Sequence, residues 1–356
     1  MKRPCHRVPF FILIAAACLT GMAADSPASD QGIRTIRAMV VADQHFARQT
    51  NWERKAREVI EAADSNLAAV LGIRLEITGY RRWRHSDAMD LYRLAEMMVD
   101  SLPRQGADIL LGFTLSPRPS GKNAARTDGV TIPLTGTMIR LYQGTSDQNI
   151  FAPYVLLHEL GHLLGGVHVN SPTLMSPVYA RVISTNLDPL NQQIIRIIRE
   201  IDFARGYASL SPAQLESLAG LYEQAINAGN HETVTLMQLT EMYIAAGDYV
   251  RAIDVGRRMT VYDPRNGAVW DKIGDLHARY GRADSAVVLL EPALEKVDDP
   301  GPVHRRLASL YFRLDDMDAS RRHAAMAGHL GFPVDSALRH NLDTDTLPAD
   351  PKRPRQ

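Results

Sequence analysis

The chain has 356 residues, and 45% of them are hydrophobic while 22% are charged, which is ordinary for a globular protein that buries a full core. The 40 Lys and Arg residues balance the 40 Asp and Glu residues, so charge gives no reason to expect nucleic acid or an anionic membrane as partner. The length favours two domains over one.

The first 24 residues have the pattern of a signal peptide. Lys2, Arg3 and Arg7 form a basic start, and the apolar run Val8–Leu19 follows before the small residues that end at Ala24. The run has about a dozen residues, whereas a transmembrane helix needs roughly 20. We therefore expect a secreted or periplasmic protein with no transmembrane span. A retained membrane anchor is the alternative interpretation.

The 2 cysteines, Cys5 and Cys18, both lie inside this leader. Once the leader is removed, the chain has no thiol with which to form a disulfide. Cys18 follows three alanines and faintly resembles a bacterial lipoprotein box, although the large apolar residue usual three positions earlier is missing. Lipid anchoring at Cys18 is thus the alternative to release as a secreted protein.

Residues 33–207 alternate between predicted strands and helices, which indicates an α/β (α+β) domain with a mixed sheet. Pro133 cannot donate to a neighbouring strand, so its strand is expected at the margin of the sheet. The predicted helix caps are Asn51, Ser86 or Asp87, and Asp188. The predicted strands are Ile36–Ala42, Ile73–Ile77, Asp108–Thr114, Val130–Leu134 and Met138–Tyr142, and the predicted helices are Asn51–Leu71, Asp87–Leu102, Phe151–Gly166 and Pro189–Phe203.

The pattern over 211–341 is wholly helical, and from His231 to Gly331 it repeats every 34 residues. The interval resembles the tetratricopeptide consensus, which implies an all-α solenoid whose groove would bind a protein partner or a substrate. A helical bundle with accidental periodicity is the alternative. Residues 342–356 are predicted to be a disordered tail. The matched positions are Ala252, Ala286 and Ser320; Gly247, Gly281 and Asp315; and Met259, Ala293 and Ala327.

The segment from 158 to 168 carries the chemistry. His158 and His162 are four residues apart on a predicted helix, so both imidazoles lie on one face and form half of a tetrahedral zinc site. Glu159 is rotated from His158 by about 100°. It therefore does not compete as a ligand and can act on a water at the open position of the metal.

A third ligand follows after a turn. Gly165 accepts the left-handed conformation that ends a helix, and the turn brings back His168. Three neutral imidazoles leave the fourth position for water, as a catalytic zinc site requires. Three structural histidines on a helix are the alternative interpretation.

These residues match the extended zinc signature of the metzincin metalloproteases, and the chain resembles that clan over roughly 33–207. The clan carries a methionine turn, which Met175 fits, and Pro177 with Tyr179 is similar to the matrixin version that forms one wall of a substrate pocket. The resemblance also implies that the edge strand, Val130–Leu134, aligns the substrate. Val169 matches no subfamily, so the resemblance extends to the clan only.

The resemblance implies an exported zinc-dependent endopeptidase in which Glu159 is the general base, acting on a peptide or protein substrate. One alternative is a noncatalytic zinc-containing scaffold that binds proteins through its repeats. A zinc enzyme acting on another amide is a second alternative, since its water chemistry would be the same.

Overall fold

The computed structural model describes residues 32–85, 90–115, 128–142, 147–177, 184–280 and 282–344. The predicted leader with Cys5 and Cys18, the helix caps Ser86 and Asp87, the pocket residue Tyr179 and residues 345–356 of the predicted tail lie outside these ranges. Among the helices of the described ranges, none has both the length and the apolar character needed to cross a bilayer.

Five strands form one mixed sheet, as the sequence predicted. They are β1 (Arg34–Ala42), β2 (Ile73–Arg82), β3 (Ile109–Thr114), β4 (Gly129–Ile132) and β5 (Gly136–Arg140). Their order is β2-β1-β3-β5-β4, and every pair is parallel except β4 with β5. All residues of β3 and β5 are buried, as expected for strands covered on both faces. β4 lies at the margin, where Pro133 predicted it.

Helices cover both faces of this sheet. Packed on one face are α1 (Trp52–Asn66) and α3 (Ala152–Leu163), and the other face carries α2 (Leu91–Ser101). After the segment that contains His168, α4 (Pro189–Ile198) joins the core that α3 also enters, through Ile194 and Ile198. Buried apolar side chains of these helices therefore hold the layers together.

Two helix starts differ from the prediction. Asn51 precedes α1 with φ 60° and makes no side-chain capping bond, so the expected cap at Asn51 is wrong. The described part of α2 begins at Leu91, and the Asp90 side chain caps it by accepting from the Arg93 backbone N–H. Asp188 caps α4 in the predicted way, by accepting from the backbone N–H of Asn191.

The described residues after α4 form mainly helices. A single helix, α5 (Pro212–Asn227), precedes three helical hairpins and a last helix, α12 (Ser336–Thr344). First helices of the hairpins begin at Thr233, Gly267 and Gly301, and second helices begin at Tyr249, Ala283 and Met317, so each interval is 34 residues. Because α12 extends to Thr344, the first three residues of the predicted tail are helical. The hairpin helices are α6 (Thr233–Ala245), α7 (Tyr249–Tyr262), α8 (Gly267–Arg279), α9 (Ala283–Leu290), α10 (Gly301–Arg313) and α11 (Met317–His329).

The apolar core does not stop where the sheet region ends. Buried side chains continue from α4 through Tyr222 of α5 and Leu239 of α6 to Leu276 of α8 in one cluster, whereas the later hairpins pack around a separate cluster that includes Leu290 and Leu307. The first hairpin is therefore packed against the sheet region without a flexible joint. This packing fixes the start of α6 relative to α3.

Candidate metal centre

Helix α3 carries the first three residues of the motif. His158 and Glu159 are almost fully buried, and His162 follows one turn later. The helix ends at Leu163, three residues earlier than predicted, and Gly165 then adopts φ +80°. A side chain at Gly165 would also crowd α4 and α5, because a Cβ there would lie 3.0 Å from the Tyr222 hydroxyl oxygen. Helices α4 and α5 thus pack against the tight turn that the motif predicted at Gly165.

The three histidines converge on one point. Nε2 of His162 lies 3.0 Å from Nε2 of His158 and 3.1 Å from Nε2 of His168, and the remaining pair is 3.4 Å apart. One ligand atom from each ring can therefore reach a single metal ion. Among the described residues, this is the one group of three or more His, Cys, Asp or Glu side chains whose ligand atoms lie near enough to share a metal ion.

The outer nitrogen of each ring has a hydrogen-bond acceptor of its own. Nδ1 of His158 lies 2.6 Å from the Leu174 carbonyl oxygen, and Nδ1 of His162 lies 2.8 Å from the Gly166 carbonyl oxygen. Nδ1 of His168 lies 2.7 Å from Oε1 of Glu232. Because each Nδ1–H donates outward, each Nε2 keeps its lone pair directed inward. This arrangement is the one that imidazole ligands of a metal require.

Burial favours the same protonation state. It lowers the pKa of His158 to about 4, with the carbonyl of Leu174 opposing part of the shift. Burial, followed by the neighbouring rings of His158 and His168, also lowers the pKa of His162. Since metal binding needs neutral imidazoles, the residues present fit a metal ion such as zinc.

Glu159 points into the same cavity as the three rings and is held by the edge strand. The Thr131 hydroxyl of β4 donates to Oε2 of Glu159 at 2.7 Å. A Cβ at Gly129 would lie 2.5 Å from Cγ of Glu159, so glycine at that position leaves room for the carboxylate. Burial raises the pKa of the Glu159 carboxyl to about 7, against the effect of the Thr131 hydrogen bond.

Met175 lies below the ligand-bearing helix. It is fully buried, and a Cβ at Gly161 would lie 2.6 Å from its sulfur, so Met175 packs against α3 between the first two histidines. The backbone N–H of Val169 donates to the Met175 carbonyl at 3.0 Å and closes the segment that follows His168. Met175 thus packs against the helix that carries His158 and His162, and its role as a methionine turn stays a prediction.

The cavity has a volume of about 280 Å³ and lies between two walls. The strand wall is formed by Asp128 and β4, and the helix wall is formed by Glu232 and the start of α6. Pro177 and Tyr92 of α2 also line the cavity, and the role of Pro177 in a substrate pocket stays a prediction. The cavity thus joins the sheet region to the helical region.

The sequence analysis did not identify four residues: Gly129, Thr131 and Glu232, which line the cavity, and Asn230, which contacts the backbone of His168. Gly129 and Thr131 lie on β4, the strand that was predicted to form the edge of the sheet. Pro133 predicted that position, but the sequence did not show that the strand contacts Glu159. Glu232 is separated from His168 by 64 residues, and no local pattern links the two. Contacts over that distance depend on how α5 and α6 pack against α3.

The comparisons with known proteins give no family. No protein-family model matches the chain, and no curated protein matches it. Among solved structures, archaemetzincin from Methanopyrus kandleri is similar at 16% identity and a TM-score of 0.35, covering 49% of this chain and 99% of that one. MamA is similar at 13% identity and a TM-score of 0.30, covering 40% and 75%. A thermophilic TPR protein of Thermus thermophilus is similar at 20% identity and a TM-score of 0.30, covering 44% and 91%.

Proposed function

We propose that the protein is a zinc-dependent endopeptidase of the metzincin type whose metal is held by Nε2 of His158, His162 and His168. The observation that carries the proposal is the convergence of these three atoms beside a buried carboxylate in one cavity. Three neutral imidazoles are the ligand set of zinc sites that keep a position open for water. A purely structural zinc site would close that position with a fourth protein ligand.

Zinc in this site would supply a Lewis acid that activates water and polarises the carbonyl oxygen of the substrate. The carboxylate of Glu159 takes the proton of the attacking water and then returns it to the nitrogen of the leaving amine. Thr131 holds that carboxylate by its hydrogen bond, and Gly129 leaves it the space to turn toward the reacting atoms. These two residues therefore orient the general base.

The substrate would bind as an extended segment. β4 is the last strand of the sheet and lines the cavity, so its outer edge offers backbone donors and acceptors to one more strand. Pro177 lies opposite and would form the wall of the pocket beside the scissile bond, together with Tyr179 as the metzincin resemblance implies. The predicted leader would place this activity in the periplasm or outside the cell.

The 34-residue interval of the three hairpins supports a second role for the helical region. We propose a tetratricopeptide-type array over 211–341 that recruits a substrate or a partner protein. The first helix of the hairpins, α6, lines the cavity through Val234 and Gln238. A segment bound along the array would therefore lie next to the proposed catalytic centre.

The test is peptide-library cleavage by the purified protein with and without a chelator. We expect Glu159→Ala to keep its zinc but lose activity by about 10²- to 10⁴-fold, the range for a general base. Glu61→Ala, which removes an exposed carboxylate of α1, is the matched control and should cleave normally. Full activity of Glu159→Ala would exclude the mechanism. A zinc-loaded wild type that cleaves no peptide would favour the noncatalytic scaffold.

A further inference from the structure

The turn between α5 and α6 reaches the third histidine. Glu232, at the N-terminal cap of α6, places Oε1 2.7 Å from Nδ1 of His168. Asn230 donates from its side-chain amide to the carbonyl oxygen of His168 at 2.9 Å. One short turn of the helical region therefore contacts both the ring and the backbone of this ligand.

His168 needs such support more than the other two ligands do. His158 and His162 are carried by α3, and backbone carbonyls of the same segment, from Leu174 and Gly166, accept from their outer nitrogens. His168 lies beyond the end of the helix, and in the described residues the acceptor for its Nδ1 is a side chain from 64 positions further along. His168 and Glu232 are brought together by the folding of the chain and not by their positions in the sequence.

We infer that Glu232 is a positioning residue of the metal centre and that the helical region completes the metal site. This inference rests on the proposed function, because it takes the three histidines to be ligands. By accepting from Nδ1–H, the carboxylate fixes the tautomer and the ring plane of His168, and its negative charge makes Nε2 a stronger donor to a cation. Outer partners of this kind change metal affinity by about 10- to 100-fold.

The turn that carries Glu232 is itself held in place. The backbone N–H of Glu232 donates to Oδ1 of Asn230 at 3.1 Å, and the hydroxyl of Thr233 donates to Oδ2 of Asp263 at 2.8 Å. The His231 ring stacks on Tyr262 of α7 with centroids 4.1 Å apart. Below the turn, the hydroxyl of Tyr222 donates to the Gly165 carbonyl at 2.5 Å. The carboxylate is thus presented by a fixed frame, as positioning requires.

The experiment measures zinc dissociation constants by chelator competition, without any peptidase assay. We expect Glu232→Ala to bind zinc about 10- to 100-fold more weakly than wild type and Glu232→Gln to lie between, because an amide oxygen still accepts from Nδ1–H but carries no charge. His168→Ala sets the effect of losing the ligand itself. Glu216→Ala, which removes a carboxylate of α5 that pairs with Arg251, is the control and should match wild type.

A cobalt-substituted sample supplies a second readout. Its visible spectrum reports ligand geometry, so Glu232→Ala should shift the bands while Glu216→Ala leaves them unchanged. If Glu232→Ala does not fold, the near-isosteric Glu232→Gln carries the test by itself. Wild-type zinc affinity and an unshifted cobalt spectrum in the Glu232 variants would overturn the inference and leave the proposed peptidase intact. Zinc binding that depends on Glu232 in a protein without peptidase activity would refute only the proposed function.

Discussion

The two walls of the cavity serve different groups of the same site. The strand wall, through Gly129 and Thr131, contacts the proposed general base Glu159. The helix wall, through Glu232 and its neighbour Asn230, contacts the third ligand. Under the proposed function, catalysis and metal retention would therefore depend on separate parts of the chain. Substitutions in the strand wall should therefore change turnover, and those in the helix wall should change metal affinity.

The largest effect in the strand wall is expected for Gly129→Ala. The new Cβ would lie 2.5 Å from Cγ of Glu159 and 2.7 Å from Cγ1 of Val155, so the carboxylate has to move. A displacement of about 1 Å at a catalytic group costs roughly 100-fold in rate. We expect kcat to fall by about that factor while the zinc dissociation constant stays at the wild-type value.

The matched control is Gly220→Ala on α5. No atom lies within 4 Å of a Cβ at that position, and alanine favours a helix interior over glycine by about 1 kcal/mol. Steady-state kinetics and zinc competition on both variants separate displacement of Glu159 from a general effect of replacing glycine. Loss of zinc by Gly129→Ala would contradict the division between the walls.

A smaller effect of the same kind is expected for Thr131→Val. Valine keeps the shape of the side chain but removes the hydroxyl that donates to Oε2 of Glu159. A hydrogen bond to a charged group contributes about 1.5 kcal/mol or more, which corresponds to a loss in kcat of about tenfold.

Thr135→Val is its control, because the Thr135 hydroxyl donates to the Ile132 carbonyl within the β4–β5 turn and does not contact Glu159. The two variants should be compared for kcat, KM and zinc affinity. Equal losses in kcat would mean that the hairpin as a whole, and not the hydrogen bond to the general base, sets the rate.

The same contrast explains what the sequence could predict. The order of strands and helices, the edge position of β4 and the proposed ligands His158 and His162 follow from periodicity, proline chemistry and helix geometry, all of which are local. Gly165 was predicted for the same reason, since a left-handed turn is a property of one residue. Local patterns thus located the reactive groups.

The partners of those groups were beyond local patterns. Glu232 looked like one acidic residue among others at the start of a helix, and Thr131 looked like an ordinary strand residue. Their roles depend on the shared core that packs α5 and α6 against α3 and on the pairing of β4 with β5. The end of α3 differs from the predicted end at Gly166 for a related reason. The helix ends at Leu163 because the Gly165 turn packs against α4 and α5.

The later hairpins contribute to neither wall, and they contain a histidine pair of their own that responds to pH. Nδ1 of His304 in α10 lies 2.9 Å from Nδ1 of His323 in α11. Burial, and then the proximity of His323, lowers the pKa of His304, and burial also lowers the pKa of His323. Glu291 opposes both shifts, while Arg322 adds to the shift of His323. The folded pair is therefore favoured when it carries less positive charge.

The sign of the effect follows from proton binding. Because both folded pKa values lie below the ordinary histidine value of about 6.5, the unfolded chain binds more protons than the folded chain as pH falls below that value. The stability that the pair contributes is fully present above that pH and is lost below it. Between about pH 7.5 and about pH 5.5 we expect the contribution of this pair to lower Tm by a few degrees. In His323→Gln that fall should be smaller, whereas His329→Gln, which replaces an exposed histidine of the same helix, should behave like wild type. An equal fall in Tm for all three proteins would show that acid acts elsewhere, and the later hairpins would then lose their distinct response to pH.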